Sequence, residues 1–393
     1  MKNLKRILSI VLILVLALSF AGCHKKGEIA VEVGEWKFTS AYYMCACLQA
    51  EREAQAMVYE SLSDKEKQDA DLDYTKKKVE GKKYEEWVKD TAIDYIKGIA
   101  LLKTLCKENK LDVDNKELRD TYNQIIPSIW EDTSYGYYYA EMYFGDTIPQ
   151  GTSLQMNYEP NGVSQGTYID YAVDKSLSET YFNHLYSEGG EKEISKEDIE
   201  KEFYGNYELA NVLDVTIENA TDKDKLAELK AKVEKYKADI ESGKMTFAEV
   251  KADYEKPATE DKKEESDEHN HEEEDKKTEE ENKTEEAAKP KDENAQVIDS
   301  SNENYKTIKA MKVGEVKIVE TETALTLIVK QELKADEYYI KQYDGTVRHT
   351  LKDEEFSKFI EDSLKKEKAD VNNYAVKQFK VKKIETPEAV STY

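Results

Sequence analysis

The chain has 393 residues, with 58 Lys and Arg against 83 Asp and Glu, a net charge of −25. Charged residues make up 36%, hydrophobic residues 39%, and the mean hydropathy is −0.80. That length suggests two or three domains, and six Pro with 16 Gly exclude a collagen-like or Pro-rich architecture. An acidic balance without a dense basic run argues against nucleic acid as a partner and against electrostatic docking on anionic lipid.

The first 23 residues carry an export pattern. Lys2, Lys5 and Arg6 precede an apolar run from Ile7 to Phe20, and Ala21-Gly22-Cys23 closes it. Basic, apolar, then small residues is the order of a secretory signal. Small residues before a cysteine resemble the lipobox of bacterial lipoproteins, with Phe20 in place of the commoner Leu. The resemblance implies a signal peptide over 1–22, cleavage before Cys23, lipidation of Cys23 and a tether over 23–28. An uncleaved membrane helix is the alternative, since the run is close to span length. Either way the body of the chain sits outside the cytoplasm, held at the membrane.

Three further cysteines, Cys45, Cys47 and Cys106, are too few for a disulfide framework and read as buried apolar thiols. Residues 29–38 read as two short strands about Gly34. Thr39-Ser40 caps a helix to about Leu62, and Ser63 to Glu66 has capping-box spacing. A broad apolar face predicts a helix from Tyr84 to about Asn109, and another runs through Leu118 and Tyr122 to Trp130. Residues 134–144 hold Tyr135, Tyr137, Tyr138, Tyr139, Tyr143 and Phe144. This cluster is either a helix packed by its rings or a peptide-contact surface, since tyrosine joins apolar area to a hydrogen-bonding tip. Residues 145–166 read as a loop. Helices resume over 167–187, and Ser195 caps another to about Tyr207.

From Leu209 the pattern changes. Leu209–Ile217 alternates like a strand. A helix covers 222–244, and Thr246 caps a shorter one with Phe247, Val250 and Tyr254. Residues 255–293 hold 18 acids and 8 Lys, with no Ile, Leu, Val, Phe or Trp. Such a stretch cannot offset its ordering entropy by burial, and predicts a disordered insertion over about 255–295. Order is expected again near Val297, with a helix at 305–313, strands at 317–319 and 325–333, a helix at 352–366 and a strand-like run at 374–384.

This order of elements resembles the PrsA-type foldase lipoproteins and SurA-type periplasmic chaperones. The likeness rests on Val31–Thr39 before a helix, Glu86–Asp90 leading into a long helix, and Leu111–Asp114 before another. Residues 209–333 resemble a parvulin-type prolyl isomerase domain, most specifically at Lys312-Val-Gly-Glu-Val316. The resemblance implies an α+β, mostly α fold. In it a helical chaperone module (29–206) precedes a small parvulin-like α/β domain (207–335), and a C-terminal helix and strand (336–393) pack back on the module. It also implies that the partners are unfolded exported polypeptides. Active parvulins carry a histidine in the first strand and another in the last. Here the aligned positions hold Val212 and Leu327, which neither donate, accept nor titrate. With Phe247 they form the candidate peptide groove. The reading is a folding factor with no catalytic residue, no cofactor and no resident metal, and little or no isomerase activity.

Two other functions stay open. One is a working prolyl isomerase with an unusual groove. The other is a solute- or metal-binding lipoprotein, suggested by His269-Asn-His271 among acids, although the bland reading of that run is a solvated charge tract.

Overall fold

A computed structural model describes residues 27–67, 72–217, 223–256, 289–377, 379–385 and 387. The signal, Cys23, most of the tether, and His269 and His271 lie outside the described residues. The fold is α+β and mostly α, with 58% helix and small antiparallel sheets. The chain divides into two compact units, one formed by 1–193 with 354–393 and the other by 194–353.

The first unit opens with β1 (Ile29–Val33) and β2 (Trp36–Thr39), an antiparallel pair. Their turn places Gly34 at φ +57°, a conformation glycine adopts without penalty. The Thr39 hydroxyl then accepts from the Tyr42 amide, capping α1 (Ser40–Ser61). The short α2 (Asp64–Lys67) follows. Glu66 reaches back to the Ser63 amide, which is half of the expected capping box. A tight β3 (Lys78–Val79), β4 (Lys82–Lys83) hairpin leads into α3 (Tyr84–Glu108). Ala46, Ala50 and Ala54 repeat every four residues on α1 and are fully buried. This small-residue line lets α1 lie along α3, which buries Trp87, Val88, Ala92, Ile96 and Ile99. Burial of such side chains contributes about 1.5–3 kcal/mol each.

Around this pair run α4 (Lys116–Ile129), α5 (Gly136–Phe144), α6 (Leu154–Tyr158), α7 (Gln165–Lys175) and α8 (Leu177–Tyr186). Residues 145–166 are therefore not a plain loop. Ser153 caps α6, and the buried Asn157 amide bonds to the Thr152 hydroxyl and the Ser153 carbonyl. Polar composition hid this segment, because its polar groups satisfy one another indoors rather than face water. Cys45, Cys47 and Cys106 are buried thiols. Burial pushes Cys47 up to about 12 and Cys106 up to about 11, so neither is a nucleophile at neutral pH.

The second unit begins with α9 (Lys196–Asn206), capped by Ser195, and β5 (Glu208–Thr216). It continues through α10 (Lys223–Glu241) and α11 (Phe247–Glu255), the latter with a full Thr246–Glu249 capping box. After the insertion come β6 (Ala295–Ile298), α12 (Tyr305–Ala310), β7 (Val316–Glu320) and β8 (Ala324–Gln331). The sheet order is β6-β5-β8-β7, all antiparallel. Sequence reading missed β6 and placed the return of order too late. Lys291 N donates to Asp336, and the Asn211 amide donates to Asp292, so polar side chains fix this segment where apolar ones are few.

The next helix, α13 (Glu337–Leu364), starts fifteen residues earlier than the apolar stripe suggested. Tyr339 and Val347 are its buried anchors in that stretch, and the Arg348–Asp344 pair spans one turn. The division between the units falls within this helix. The expected strand at 374–384 is not one. The strand is β9 (Ala369–Val371), antiparallel to β1 in the first unit, and α14 (Asn373–Lys377) follows it. The Asn372 carboxamide oxygen accepts from the Tyr374 and Ala375 amides, which starts a helical turn and breaks the alternation. Ala375, Val376, Phe379 and Val381 enter the first unit's core, with Phe379 edge-on to Tyr43 at 5.3 Å.

Phe379→Ala removes a ring from this core and is expected to cost about 3 kcal/mol, while Tyr374→Ala at an exposed site changes stability by less than about 0.5 kcal/mol. Urea denaturation of the full chain reads both. A second test is the pH profile of Glu51, buried on α1 beside the Tyr84 hydroxyl. Burial raises its carboxyl above the ordinary 4.5, against the opposing pull of its hydrogen bonds from Gln55 and Tyr84. A raised folded value means stability that is full below 4.5 and is lost as pH rises through the raised value. Glu51→Gln should lose less stability than the parent between pH 4.5 and neutrality.

Candidate functional site

The three predicted groove residues do not share one face of the sheet. In the antiparallel β5–β8 ladder Val212 faces Ile328, and Leu213 faces Leu327. Strand side chains alternate between faces, so Val212 and Leu327 point to opposite sides of the sheet. Leu327 and Phe247 share the core under α10 and α11, with Leu213, Val233 and Val250. Val212 is half-buried on the other face, with Ala210, Ile308, Met311 and Ile328. The face that Val212 does share with β8 presents Thr326 and Ile328. Thr326 donates to Asp214 at 2.5 Å, and Lys330 is ion-paired to Glu208. No histidine occurs in 209–256 or 289–333. On that face Thr326 with Asp214 and Lys330 with Glu208 satisfy one another.

The first unit holds a more elaborate constellation. Arg52 on α1 forms an ion pair with Asp146, which follows α5 directly. The Asp146 side chain is 8% exposed and that of Arg52 15%. The Tyr158 and Tyr168 hydroxyls both donate to Asp146 Oδ2, at 2.6 and 3.0 Å, and Arg52 Nη1 donates to the Tyr158 hydroxyl at 3.1 Å. Burial drives both phenols well above their ordinary range, and the Asp146 charge adds to it, so they remain donors. Burial alone would lower the Arg52 guanidinium, but Asp146 and the phenols more than offset it, and its net shift is upward.

Two adjoining clefts open beside this centre, with Gln49 and Asp146 in both walls. The larger, about 650 Å³, is lined by Arg52, Tyr59, Tyr74, Ile148 and Pro149 among others. The smaller, about 190 Å³, is lined by Tyr122, Tyr143, Phe144, Tyr171 and Lys175. Aromatic walls with a few placed polar groups are the usual make-up of a binding cleft. Lys175 donates to the Phe144 carbonyl, and burial pulls its ammonium down.

The tyrosine-rich helix α5 stands at the rim. Gly136, Ala140 and Phe144, spaced by four, form its buried face. A Cβ at Gly136 would meet the Ile129 carbonyl oxygen at 3.2 Å, so only glycine fits this approach without a shift. With the small residues inside, the large ones turn outward. Tyr135, Tyr138, Met142 and Tyr143 are 63, 53, 54 and 42% exposed. Tyr135, Tyr139 and Tyr143 form a ladder at i, i+4, with ring centroids 6.5 and 5.9 Å apart. Phe144 packs inside, as a ring-packed helix requires, while Tyr135, Tyr138 and Tyr143 stay exposed.

The arrangement can hold an extended segment by ring contact and by hydrogen bonds from phenols and carboxamides. Sequence reasoning missed the Arg52–Asp146 centre, because 94 residues separate the partners and neither lies in a motif. Among the described residues no group of three His, Cys, Asp or Glu is placed to hold a metal ion.

Asp146→Ala leaves a buried guanidinium unpaired and should destabilise the chain by about 3–5 kcal/mol, whereas Arg52→Met with Asp146→Leu should recover much of that loss. Urea midpoints of the single and double variants check it. Equal losses in both would show that the charge pair is not what matters there.

No family model matches this chain, and no curated protein matches its sequence. Solved structures do. The chain is similar to the foldase protein PrsA of Lactococcus lactis over 88% of this chain and 96% of that one, at 12% identity and a TM-score of 0.36. It is similar to the foldase protein PrsA of Streptococcus pneumoniae strain Canada MDR_19A over 74% of this chain and 85% of that one, at 16% identity and a TM-score of 0.33. The structural match to PrsA foldases covers most of the chain, at low identity and low TM-score.

Proposed function

We propose that this chain is an extracytoplasmic folding factor, anchored through a lipid on Cys23, that binds unfolded exported polypeptides. The observation that carries this reading is the tyrosine-lined cleft of the first unit with its exposed aromatic rim. Unfolded segments share no sequence. What they share is apolar side chains and unpaired backbone amides and carbonyls. Rigid rings tipped with hydroxyls meet both needs at small entropic cost, because a tyrosine has few rotors to freeze. No described helix is long and apolar enough to cross a membrane. The export pattern of residues 2–23 and the lipobox-like Ala21-Gly22-Cys23 support the location.

The second unit is proposed as a parvulin-like module that binds but does not catalyse. Rotation about a peptide bond faces a barrier of about 18–20 kcal/mol, lowered by groups that favour the twisted amide over the planar one. On the Val212 face Thr326 and Asp214 are spent on each other and Lys330 is paired with Glu208, which supports this reading.

The test is dilution of a denatured, aggregation-prone client into equimolar protein without nucleotide, followed by light scattering. The full chain should suppress scattering. Tyr138→Ser with Tyr143→Ser, both at exposed positions that leave the core intact, should lose most of that effect. In parallel, exchange of an Xaa-Pro peptide followed by NMR should be unchanged by the protein. No suppression by a folded chain would sink the chaperone reading, and clear catalysis of exchange would make the protein an isomerase.

A further inference from the structure

Between Arg119 and Lys175 the sequence contains no Lys or Arg at all, in a chain that has 58. The same stretch holds nine of the 27 tyrosines. It builds α5, its rim and most of the aromatic wall of the smaller cleft. Its carboxylates differ in their partners. Asp146, Asp174 and Asp170 are paired, to Arg52, Lys103 and Arg119. Beside the exposed rings Asp132 and Glu141 stand without a base among the described residues. Asp132 caps the amides of Ser134 and Tyr135, Glu141 sits on α5 one turn from Tyr138, and Glu159 accepts from the Trp130 indole. Among the described residues none of these three, nor Glu131, is in an ion pair.

The rings show a matching gap. Cations already sit over several tyrosines of this unit. Arg52 lies over Tyr158, Lys175 over Tyr171 and Lys67 over Tyr59, at 5.1 to 5.8 Å. None lies over Tyr135, Tyr138, Tyr139 or Tyr143 among the described residues. Stacked, electron-rich ring faces beside uncompensated carboxylates make a surface suited to a cation with an apolar stem.

Resting on the chaperone reading above, we propose that the α5 face selects client segments in which Lys or Arg alternates with apolar residues. The cationic heads would lie over the Tyr138 and Tyr143 rings within reach of Glu141 and Asp132. The stems and the neighbouring apolar side chains would cover Met142 and the ring edges. Each cation over an exposed ring strengthens binding about two- to fivefold, and nearby carboxylates add an attraction that salt screens within about 10 Å at 0.1 M.

The experiment measures fluorescence anisotropy of three labelled, unstructured peptides against the full chain. They share one leucine-containing frame and differ only in four positions, all Lys, all Gln or all Glu. At low salt the Lys peptide should bind about tenfold tighter than the Gln peptide, and the Glu peptide weakest. Molar salt should shrink the Lys-to-Gln ratio to about two or three, leaving the ring contribution. Glu141→Gln should lower the low-salt ratio, and Tyr138→Leu with Tyr143→Leu should lower the ratio that survives salt. Equal affinity for the Lys and Gln peptides overturns the inference and leaves the chaperone reading standing. A ratio that both variants leave untouched overturns the assignment to α5. Failure of all three peptides to bind overturns the inference together with the reading it rests on.

Discussion

The buried pair of Arg52 and Asp146 is the constraint on which the first unit's aromatic surface depends. Two charges removed from water tolerate little misplacement, because neither can be left alone indoors. Arg52 comes from the middle of the central helix α1, and Asp146 comes two residues after the end of α5. Their pairing ties the tyrosine helix to the helix that organises the core. Tyr158 and Tyr168 then saturate the same carboxylate, which draws α6 and α7 to the same point. The cleft walls are the outer sides of this junction. The proposed client surface is thereby mounted on the buried pair.

The second unit works by a different logic. Its sheet buries one face fully under α10 and α11, where Leu327 and Phe247 contribute to stability. The other face is thinner, with Val212 half-exposed among aliphatic neighbours. Polar groups on that side pair across the ladder, Thr326 with Asp214 and Lys330 with Glu208. The proposal of binding without turnover rests on this pairing.

Much of this was legible in the sequence where one local rule acts alone. Thr39, Thr246 and Ser195 announce helix starts because a hydroxyl cap needs only its neighbours. Leu209 to Ile217 announces a strand because burial on alternate sides writes itself into the residues. The failures share one cause, which is that the deciding partner lies far away in the chain. Residues 374–384 alternate like a strand, yet Asn372 turns them and the Tyr43 ring receives Phe379. Residues 289–295 look like the tail of a solvated tract, yet Asn211 and Asp336 hold them. The groove of Val212 with Leu327 failed for a register reason, since alignment gives positions but only strand pairing tells which face each one occupies. The rim of the cleft was half legible. The tyrosines stand out in the sequence, but Gly136 and Ala140 decide which of them face out.

The central claim is that clients are held by the first unit at its aromatic cleft. Hydrogen exchange of the full chain, with and without a saturating unfolded client, tests it most directly. The account predicts new protection over residues 136–149 and at the C-terminal end of α1, with β5 and β8 little changed. Protection confined to 208–216 and 324–331, or no protection at all under conditions where the client is bound, would contradict it.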